Sequence, residues 1–403
     1  MKKILFSMLA MLAVASTAFG IGDNAITVSD ITLSNSGNPS ALLVNINLTE
    51  KSSAKGMDFS IDLPAGVEFV TGSNGKPVYQ TGSMWGVQPT LNLSESKRSL
   101  TVACASSESI TGSKGLLYAF KVKKTGTVSE LTGSIHNVSA SIKGSLVYLD
   151  GSDFNITLTS CDVVLDENSP FAPESTSGDV SILVKRTIKA GDWSTFCLPF
   201  DIDWETFKTI FGANVQLAEF VNYSSEDEFE TMSINFKPTD TEDKYGFVGN
   251  WPYLIKTSKN LESFEITKTI EVEDDVLATW DDVSGNKKKT YGKFIGTYVA
   301  DIYVPENDMF ISDNSFYYSR GTSKIKGFRG YFWFYDKLKD TSAARAFISI
   351  GGDDATNIQA AKFSMIENGK VYTVSGQYVG ENIDIKRLPK GVYIVDGVKV
   401  VNE

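Results

Sequence analysis

The amino-acid sequence predicts an all-β protein. From Ile26 to Thr159, short runs of alternating apolar and polar residues follow one another, separated by clusters of Gly, Ser, Asn and Pro. Alternation over a few residues is typical of a strand with one buried face, and many short strands between turns are typical of a β-sandwich. Only Trp204–Phe211, which Asp203 opens as an N-cap, has the apolar spacing of a helix.

The clearest predicted strand ends at a turn. Met57, Phe59, Ile61 and Leu63 alternate with polar residues, and Pro64-Ala-Gly66 then breaks the strand. A later stretch, Thr111–Val122, contains two glycines, then Leu116 and Leu117, and ends in Phe120-Lys-Val122. Further strands are predicted at Ile26–Leu33, Ala41–Leu48, Ser99–Cys104, Leu116–Val122, Leu146–Leu149 and Phe154–Leu158.

These two stretches, Gly56–Val70 and Thr111–Val122, together resemble the cohesin-like modules of secreted bacterial proteins. The resemblance covers roughly residues 22–160 and implies a sandwich of jelly-roll type, a fold shared with carbohydrate-binding modules. It also implies a link to polysaccharide breakdown. Dockerin, the usual cohesin partner, carries two twelve-residue calcium loops, and this sequence contains none. A dockerin-like partner is therefore expected on another chain.

The first twenty residues have the organisation of a secretory signal. Met1-Lys2-Lys3 is a cationic start, Ile4–Ala15 is apolar, and Ala18-Phe19-Gly20 supplies small residues for cleavage. The apolar run is shorter than the roughly 20 residues that span a bilayer. We predict a signal peptide at 1–20 that is cleaved after Gly20. The mature protein is then expected to be secreted, extracellular or on the outer-membrane surface, with no transmembrane segment.

The charge balance excludes one class of partner. The chain has 38 basic and 49 acidic residues and a formal charge of −11. Nucleic-acid phosphates need a basic footprint, so no nucleic-acid partner is expected.

Three cysteines leave at least one without an intramolecular partner. Cys104 and Cys197 lie in apolar, strand-like contexts and are interpreted as small buried hydrophobic residues. A Cys104–Cys161 bridge within the first module is the alternative.

After the predicted sandwich at 21–162, the segment 163–178 contains two prolines and several small polar residues, which favours a linker. A second β-rich module is predicted at 179–352. Its stretches G-x-W-S-T-F-C-L-P-F and I-K-G-F-R-G-Y-F-W-F resemble a module of secreted proteins from gut and oral Bacteroidales. Strands are predicted there at Val180–Ile188, Val215–Asn222, Thr231–Phe236, Tyr253–Ile255, Phe264–Ile270, Tyr291–Tyr298 and Ala346–Ile350.

The last segment, 353–403, is predicted as a small β unit. Strand-like runs flank Leu388-Pro-Lys-Gly391, and Asp396-Gly397 predicts a tight hairpin. The order of these motifs looks like the C-terminal sorting domain of Bacteroidetes secreted proteins, which directs passage across the outer membrane. This copy ends Val-Asn-Glu where many members end in a basic pair, so active sorting stays open. The alternative is a small hairpin domain that packs on its neighbour.

Catalytic motifs are absent from the sequence. His136 is the only histidine, its context is that of a surface strand, and no G-x-S-x-G elbow, zinc motif or phosphate loop occurs. The paired carboxylates fall in turn-like contexts, where solvated charge is the better interpretation. We therefore predict a protein that is not an enzyme and has no cofactor and no metal site.

Aromatic residues are the candidate ligand-binding groups, because flat rings stack on the apolar faces of sugars. The alternative at each position is an ordinary core residue. Period-2 alternation sends Tyr331, Trp333 and Tyr335 to one face of a strand and Phe332 and Phe334 to the other. The predicted ligand-binding residues are Tyr79, Trp85, Trp251, Tyr253, Tyr331, Trp333 and Tyr335.

The sequence thus predicts a non-catalytic secreted or cell-surface binding protein. Its cohesin-like module is expected to bind a protein partner or a polysaccharide. The alternative is a structural surface or adhesin subunit in which the sandwich serves as a spacer, and an unrecognised hydrolase is the third hypothesis. A glycan binder should lose affinity when Trp85 or Trp333 is removed, whereas a module that binds protein through a flat sheet face should not.

Overall fold

The fold was determined as a computed structural model. It describes residues 24–48, 54–110, 114–226, 228, 231–239, 246–284, 287–312, 314–337, 345–351, 359–363, 370–373, 378–381, 388–395 and 398–402. In this part of the chain the predicted all-β class is confirmed, with a sandwich, a β-rich middle module and a small C-terminal sheet. The predicted domain boundaries stay predictions, and the predicted signal peptide lies outside the described residues.

Two sheets form the N-terminal sandwich. The smaller sheet has the order β1-β3-β9-β5, with β6 also paired to β9, and the larger has the order β2-β12-β10-β4-β8-β7, with β11 paired to β10. The strands are β1 Ala25–Val28, β2 Ile31–Ser34, β3 Ser40–Asn47, β4 Ala54–Asp62, β5 Val67–Phe69, β6 Tyr79–Thr81, β7 Thr90–Leu93, β8 Ser99–Ala105, β9 Lys114–Lys124, β10 Thr132–Ile142, β11 Ser145–Leu149 and β12 Ser152–Thr159.

Strand β4 alternates as its sequence predicts. Met57, Phe59 and Ile61 are buried in the core between the two sheets. The turn after β4 requires its glycine, because Gly66 has φ +85° and a Cβ there would lie 2.4 Å from the Thr127 carbonyl oxygen. The Leu-Pro-x-Gly stretch therefore ends one strand and redirects the chain into β5 in the other sheet.

The middle module contains three larger sheets and a two-stranded one. Their orders are β13-β14-β19, β15-β18-β16-β17-β27, β20-β21-β26-β23-β24-β28 and β22-β25. The elements are β13 Val163–Asp166, β14 Val180–Ile188, β15 Trp193–Phe196, α1 Trp204–Phe211, β16 Gln216–Glu226, β17 Thr231–Pro238, β18 Tyr253–Lys256, β19 Leu261–Lys268, β20 Leu277–Ser284, β21 Lys287–Thr297, β22 Ile302–Tyr303, β23 Met309–Ser312, β24 Ser315–Tyr318, β25 Lys324–Ile325, β26 Arg329–Phe334, β27 Arg345–Ile350 and β28 Gln359–Phe363.

Helix α1 begins and ends where the sequence predicts. The Asp203 carboxylate accepts a hydrogen bond from the Thr206 amide at 2.9 Å, which satisfies one of the free N–H groups of the first turn. Phe207 and Phe211, one turn apart, are buried in the module's core.

The segment predicted as a linker, 163–178, begins with a strand. Strand β13 pairs in parallel with β14, and Leu165 is buried in the core of the middle module. Further along, the Thr176 amide donates to the Ile270 carbonyl at 2.9 Å. The alternating Val163-Val-Leu-Asp166 run supplies an apolar strand face, so this segment lies against the middle module despite its prolines.

A buried ion cluster holds the same segment in place. Glu167, only 3% exposed, accepts hydrogen bonds from Lys326 at 3.0 Å and Arg329 at 2.8 Å, and pairs with the fully buried Arg186 at 3.4 Å. Burial works to raise the pKa of the Glu167 carboxyl, but the charges of Arg329, Arg186 and Lys326 outweigh it and hold the pKa below its usual value. Glu167 therefore stays ionised and compensates a buried cation.

The C-terminal unit is a four-stranded sheet with the order β30-β29-β31-β32. Its strands are β29 Lys370–Thr373, β30 Tyr378–Glu381, β31 Gly391–Val395 and β32 Val398–Asn402. Strands β31 and β32 pair antiparallel, as expected for a hairpin, and the predicted Asp396-Gly397 turn lies outside the described residues.

All three cysteines are buried free thiols. The alternative of a Cys104–Cys161 bridge is wrong. Burial raises the pKa of Cys104 to about 11 and that of Cys197 to about 12, so both thiols stay protonated and unreactive at neutral pH.

Candidate functional site: the open face of the sandwich

The two outer faces of the sandwich have different surroundings. Outward side chains of β3 and β9 line a cleft of about 570 Å³, whose other wall comes from residues 163–176, 300–301 and 324–328. Among them are Leu43, Asn45 and Leu116. We call this side of the smaller sheet the covered face, because the same chain lies opposite it.

Direct contacts join the sandwich to the middle module on this side. Lys121 pairs with Glu174 at 2.7 Å, and its ammonium lies 5.4 Å from the centre of the Phe171 ring. In a neighbouring loop, the Ser83 amide donates to the Asp301 carboxylate at 2.7 Å. These contacts and the cleft occupy the covered face, which is therefore a poor candidate for a large partner.

The outer side of the larger sheet carries small polar side chains in register. One row across the strands reads Tyr148, Ser139, Asp58, Ala103 and Thr90. Alternation sends every second residue of a strand outward. Because most of these residues have short side chains, the surface is flat. We call it the open face, and it consists of Thr90, Asn92, Ser99, Thr101, Ala103, Ala105, Asp58, Ser60, Asp62, Ser134, His136, Ser139, Ser141, Leu146 and Tyr148.

Two large apolar side chains rise at the edge of the open face. Leu146 and Tyr148 on β11 are 60% and 80% exposed, and their register partners on β10 are Ser141 and Ser139. On the opposite side of β11, Leu149 packs on the sandwich core. Exposed Leu and Tyr beside a flat polar surface form an apolar edge of the kind that partner proteins bury.

His136 lies within the open face and pairs with a carboxylate. Its Nε2 atom is 2.8 Å from the Asp62 carboxylate. Burial works to raise the pKa of the Asp62 carboxyl, but hydrogen bonds from Ser99 and His136 outweigh it and hold the pKa below its usual value.

Ser60 is the register partner of His136, so a serine, a histidine and an aspartate meet on this face. The Ser60 hydroxyl instead pairs with Thr101 at 3.2 Å. The arrangement thus lacks the contact between a nucleophile and its base that acyl transfer requires.

The structure places the first two predicted ligand residues partly inside the sandwich. Tyr79 and Trp85 are half-buried and pack on its core. The Tyr79 hydroxyl donates to Gln88 at 2.5 Å, and the Trp85 indole donates to the Glu108 carbonyl at 3.2 Å. Their polar groups are therefore already engaged within the fold.

The second predicted pair is divided between surface and core. Trp251 is exposed, whereas Tyr253 is 2% exposed and packs on Phe247 with a 5.1 Å ring separation. The prediction of Tyr253 as a ligand-binding residue is wrong, because β18 lies inside a sheet between β15 and β16 and directs this ring into the core.

The third predicted group shares one strand face. On β26, Phe332 and Phe334 are buried and Tyr331 and Trp333 are half-buried, and Tyr335, which directly follows the strand, is 53% exposed. Lys293 lies over the Trp333 ring and Lys289 over the Tyr335 ring. The predicted alternation is confirmed. The contacts between these rings and the lysines were not predicted from the sequence.

Sequence reasoning also missed Leu146 and Tyr148. The signal was present, because Leu146-Val-Tyr-Leu149 is a strand in which all four residues are apolar. Alternation directs such a strand's side chains to both faces, and a two-layer sandwich buries only one of them.

Within the described residues, no group of three or more His, Cys, Asp or Glu side chains is arranged to hold a metal ion. In the same part of the chain, no helix has the length and apolar character needed to cross a membrane.

No protein-family model matches this chain, and no curated protein matches it. Among solved structures it is similar to a non-cellulosomal cohesin from Archaeoglobus fulgidus, with 15% identity, TM-score 0.27, and coverage of 34% of this chain and 92% of that one. It is also similar to a type I cohesin–dockerin complex from Clostridium thermocellum, with 10% identity, TM-score 0.28, and coverage of 34% and 99%. A cohesin module from a Clostridium perfringens family 33 glycoside hydrolase matches with 12% identity, TM-score 0.26, and coverage of 34% and 98%.

Proposed function

We propose that this chain is a non-catalytic, exported binding protein whose sandwich holds a protein partner on its open face. The observation that carries the proposal is the contrast between the two faces. Leu146 and Tyr148 stand exposed beside a flat surface, whereas the covered face lies against the chain's own middle module. Export is supported by the signal-like first twenty residues.

The chemistry of the open face favours a protein over a sugar. Its side chains are mostly Ser, Thr, Ala and Asp, which leave the surface flat and provide scattered hydrogen-bonding groups. A folded partner can bury Tyr148 and Leu146 as anchors and match the polar rows around them. The rings predicted to bind sugar on the sandwich, Tyr79 and Trp85, are half-buried, which gives a glycan ligand of this module less support.

The sequence resemblance to cohesin-like modules suggests which partner to test. A dockerin-like domain on another chain fits both the resemblance and a flat sheet face, and the function would then belong to polysaccharide breakdown outside the cell. The alternative is a structural surface or adhesin subunit in which the sandwich only sets spacing. In that case the open face binds no partner protein, and the chain assembles with itself.

Affinity capture from the secreted proteins of the source organism tests the proposal. The bait is the chain without residues 1–20, compared with a Leu146→Ser/Tyr148→Ser variant. A matched control is Val283→Ser, which changes an equally exposed apolar residue in the middle module. We expect a defined protein to be retained by the wild type and the control and lost by the double variant.

Two results would contradict this proposal. Retention of the same protein by the double variant would move the binding site away from β11. Failure to retain any protein, together with self-association in sedimentation velocity, would favour the spacer.

A further inference from the structure

A second surface of the molecule combines lysines with aromatic rings. It lies on the outer side of β21 and β26, where Lys293 is the register partner of Trp333 and the Tyr335 amide donates to the Tyr291 carbonyl at 2.8 Å. We call it the lysine–aromatic face, and it consists of Lys289, Tyr291, Lys293, Trp333, Tyr335 and Lys337.

Each lysine of this face lies over a ring. The Lys289 ammonium is 3.9 Å from the centre of the Tyr335 ring and 4.3 Å from that of Tyr291. Those of Lys293 and Lys337 are 5.4 Å and 5.8 Å from the centre of Trp333. Attraction between the cation and the ring positions each ammonium group on the surface. Three ordered ammonium groups thus lie along one sheet face, and that of Lys337 also donates to the Asn307 carbonyl at 3.1 Å. Lys289 and Lys293 are therefore the two main cations of this face.

Most carboxylates close to this face are withdrawn from solvent. Asp308 is buried and lies 3.9 Å from Lys337. Asp281 accepts hydrogen bonds from two threonines and pairs with Lys288 at 2.9 Å. Asp336, whose charge acts on Lys289, accepts a hydrogen bond from the Tyr223 hydroxyl at 2.6 Å. Asp282, opposite Lys289 in the register, stays exposed. A ligand therefore meets mainly ammonium groups and ring edges, although the whole chain is acidic.

We propose that the lysine–aromatic face binds an acidic polysaccharide, whose carboxylate groups pair with Lys289, Lys293 and Lys337 while a sugar ring lies against the exposed part of Tyr335. A neutral sugar would have to displace the lysines before it could stack on the rings. An acidic sugar pairs with the same lysines where they lie, so charge complementarity selects it. This inference is independent of the proposed protein partner, because it concerns a different module.

Nucleic acid is the competing polyanion and fits less well. A phosphate backbone is densely charged and is bound through an extended basic footprint. Here three lysines stand on a chain with 49 acidic and 38 basic residues. Three lysines fall short of that footprint, and the oligonucleotide probe below distinguishes the two polyanions.

Isothermal titration of the chain without residues 1–20 tests the inference. The probes are polygalacturonate, neutral galactan and a single-stranded DNA oligonucleotide. We expect binding of polygalacturonate that weakens with added salt, because exposed charge pairs are screened. The Lys289→Gln/Lys293→Gln variant should bind at least about tenfold more weakly, since it loses two of the three cations.

Lys288→Gln is the matched control. Lys288 lies on the same strand and is more than half exposed, but it pairs with Asp281 rather than with a ring. Its removal should leave polygalacturonate binding unchanged, and thermal unfolding of all variants should match the wild type. Any of four results would overturn the inference: no binding of polygalacturonate, equal binding of galactan, equal binding of the oligonucleotide, or full affinity in the double variant.

Discussion

The two outer faces of the sandwich are built on the same alternation and differ in what lies against them. On the covered face, Leu43 and Leu116 line a cleft whose opposite wall is formed by the middle module. On the open face, Leu146 and Tyr148 are exposed. Outward-facing apolar residues of the sandwich therefore fall into two groups. Some pack against the middle module of the same chain, and others are exposed and can contact another protein. The difference can be measured, because the first kind stabilises the fold and the second does not.

The largest expected effect concerns the segment that forms the far wall of the cleft. Glu167→Gln removes the carboxylate that compensates the fully buried Arg186 and also binds Lys326 and Arg329. Leaving one partner of a buried ion pair uncompensated costs about 3–5 kcal/mol. Urea denaturation should show this loss in the free energy of unfolding.

Asp166→Asn is the control for this change. Its pair with Lys185 at 2.8 Å is partly exposed, and such pairs contribute about 0–1 kcal/mol. Equal losses in the two variants would mean that the buried cluster does not hold the segment.

Substitution of an apolar residue on the covered face should lower the free energy of unfolding more than substitution of one on the open face. Leu116→Ala removes a buried side chain at the covered face and should cost about 2 kcal/mol, the lower end for a buried leucine. Leu146→Ala should change stability by less than about 0.5 kcal/mol, since its side chain is mostly in solvent. Thermal or urea unfolding of both variants checks this, and a similar cost for the two would remove the distinction between the faces.

The ionisation of Glu167 should contribute to the pH dependence of the free energy of unfolding. Its pKa is lower in the folded protein than the usual value of about 4.3. Its stabilising contribution is therefore complete above that usual value and is lost as the pH falls through the lower, folded pKa. Acid unfolding followed by tryptophan fluorescence should show a smaller loss of stability between neutral and acid pH in Glu167→Gln than in the wild type. An identical acid profile in the variant would contradict this role.

A further small effect concerns the ion pair between the sandwich and the middle module. Lys121 is mostly buried but Glu174 is mostly exposed, so Glu174→Gln should cost no more than about 1 kcal/mol. The loss should shrink at high salt because the pair is screened. A cost that is large and independent of salt would show that the two modules depend on this pair more than its exposure indicates.

Strand alternation made much of the fold predictable. The alternating Met57–Leu63 run, the Pro64-Ala-Gly66 turn and the Asp203 cap of helix α1 all act locally, so sequence is enough to recognise them. Strand β13 was harder, because prolines and small polar residues follow it directly. Its pairing with β14 depends on a contact with residues 180–188, which local composition does not encode.

The candidate site was less predictable for the same reason. Alternation tells which side of a strand a residue occupies, but not whether another element covers that side. Tyr253 has the sequence context of a surface aromatic and is buried because β18 lies between two neighbours. Tyr148 is exposed because it lies on the outer side of β11, away from the sandwich core, and Lys289 meets Tyr335 only through pairing across strands.

The most direct test of the central claim is the affinity of the captured partner for two charge variants. Thr101→Arg places a bulky cation in the middle of the open face at an exposed position. It also removes the 3.2 Å hydrogen bond with Ser60, so thermal unfolding of the variant serves as the control for the fold. Lys121→Glu changes the covered face instead. If a protein partner docks on the open face, Thr101→Arg should weaken binding at least tenfold, or about 1.4 kcal/mol, and Lys121→Glu should leave it unchanged. The reverse pattern would contradict the account and place the partner on the side where the middle module lies.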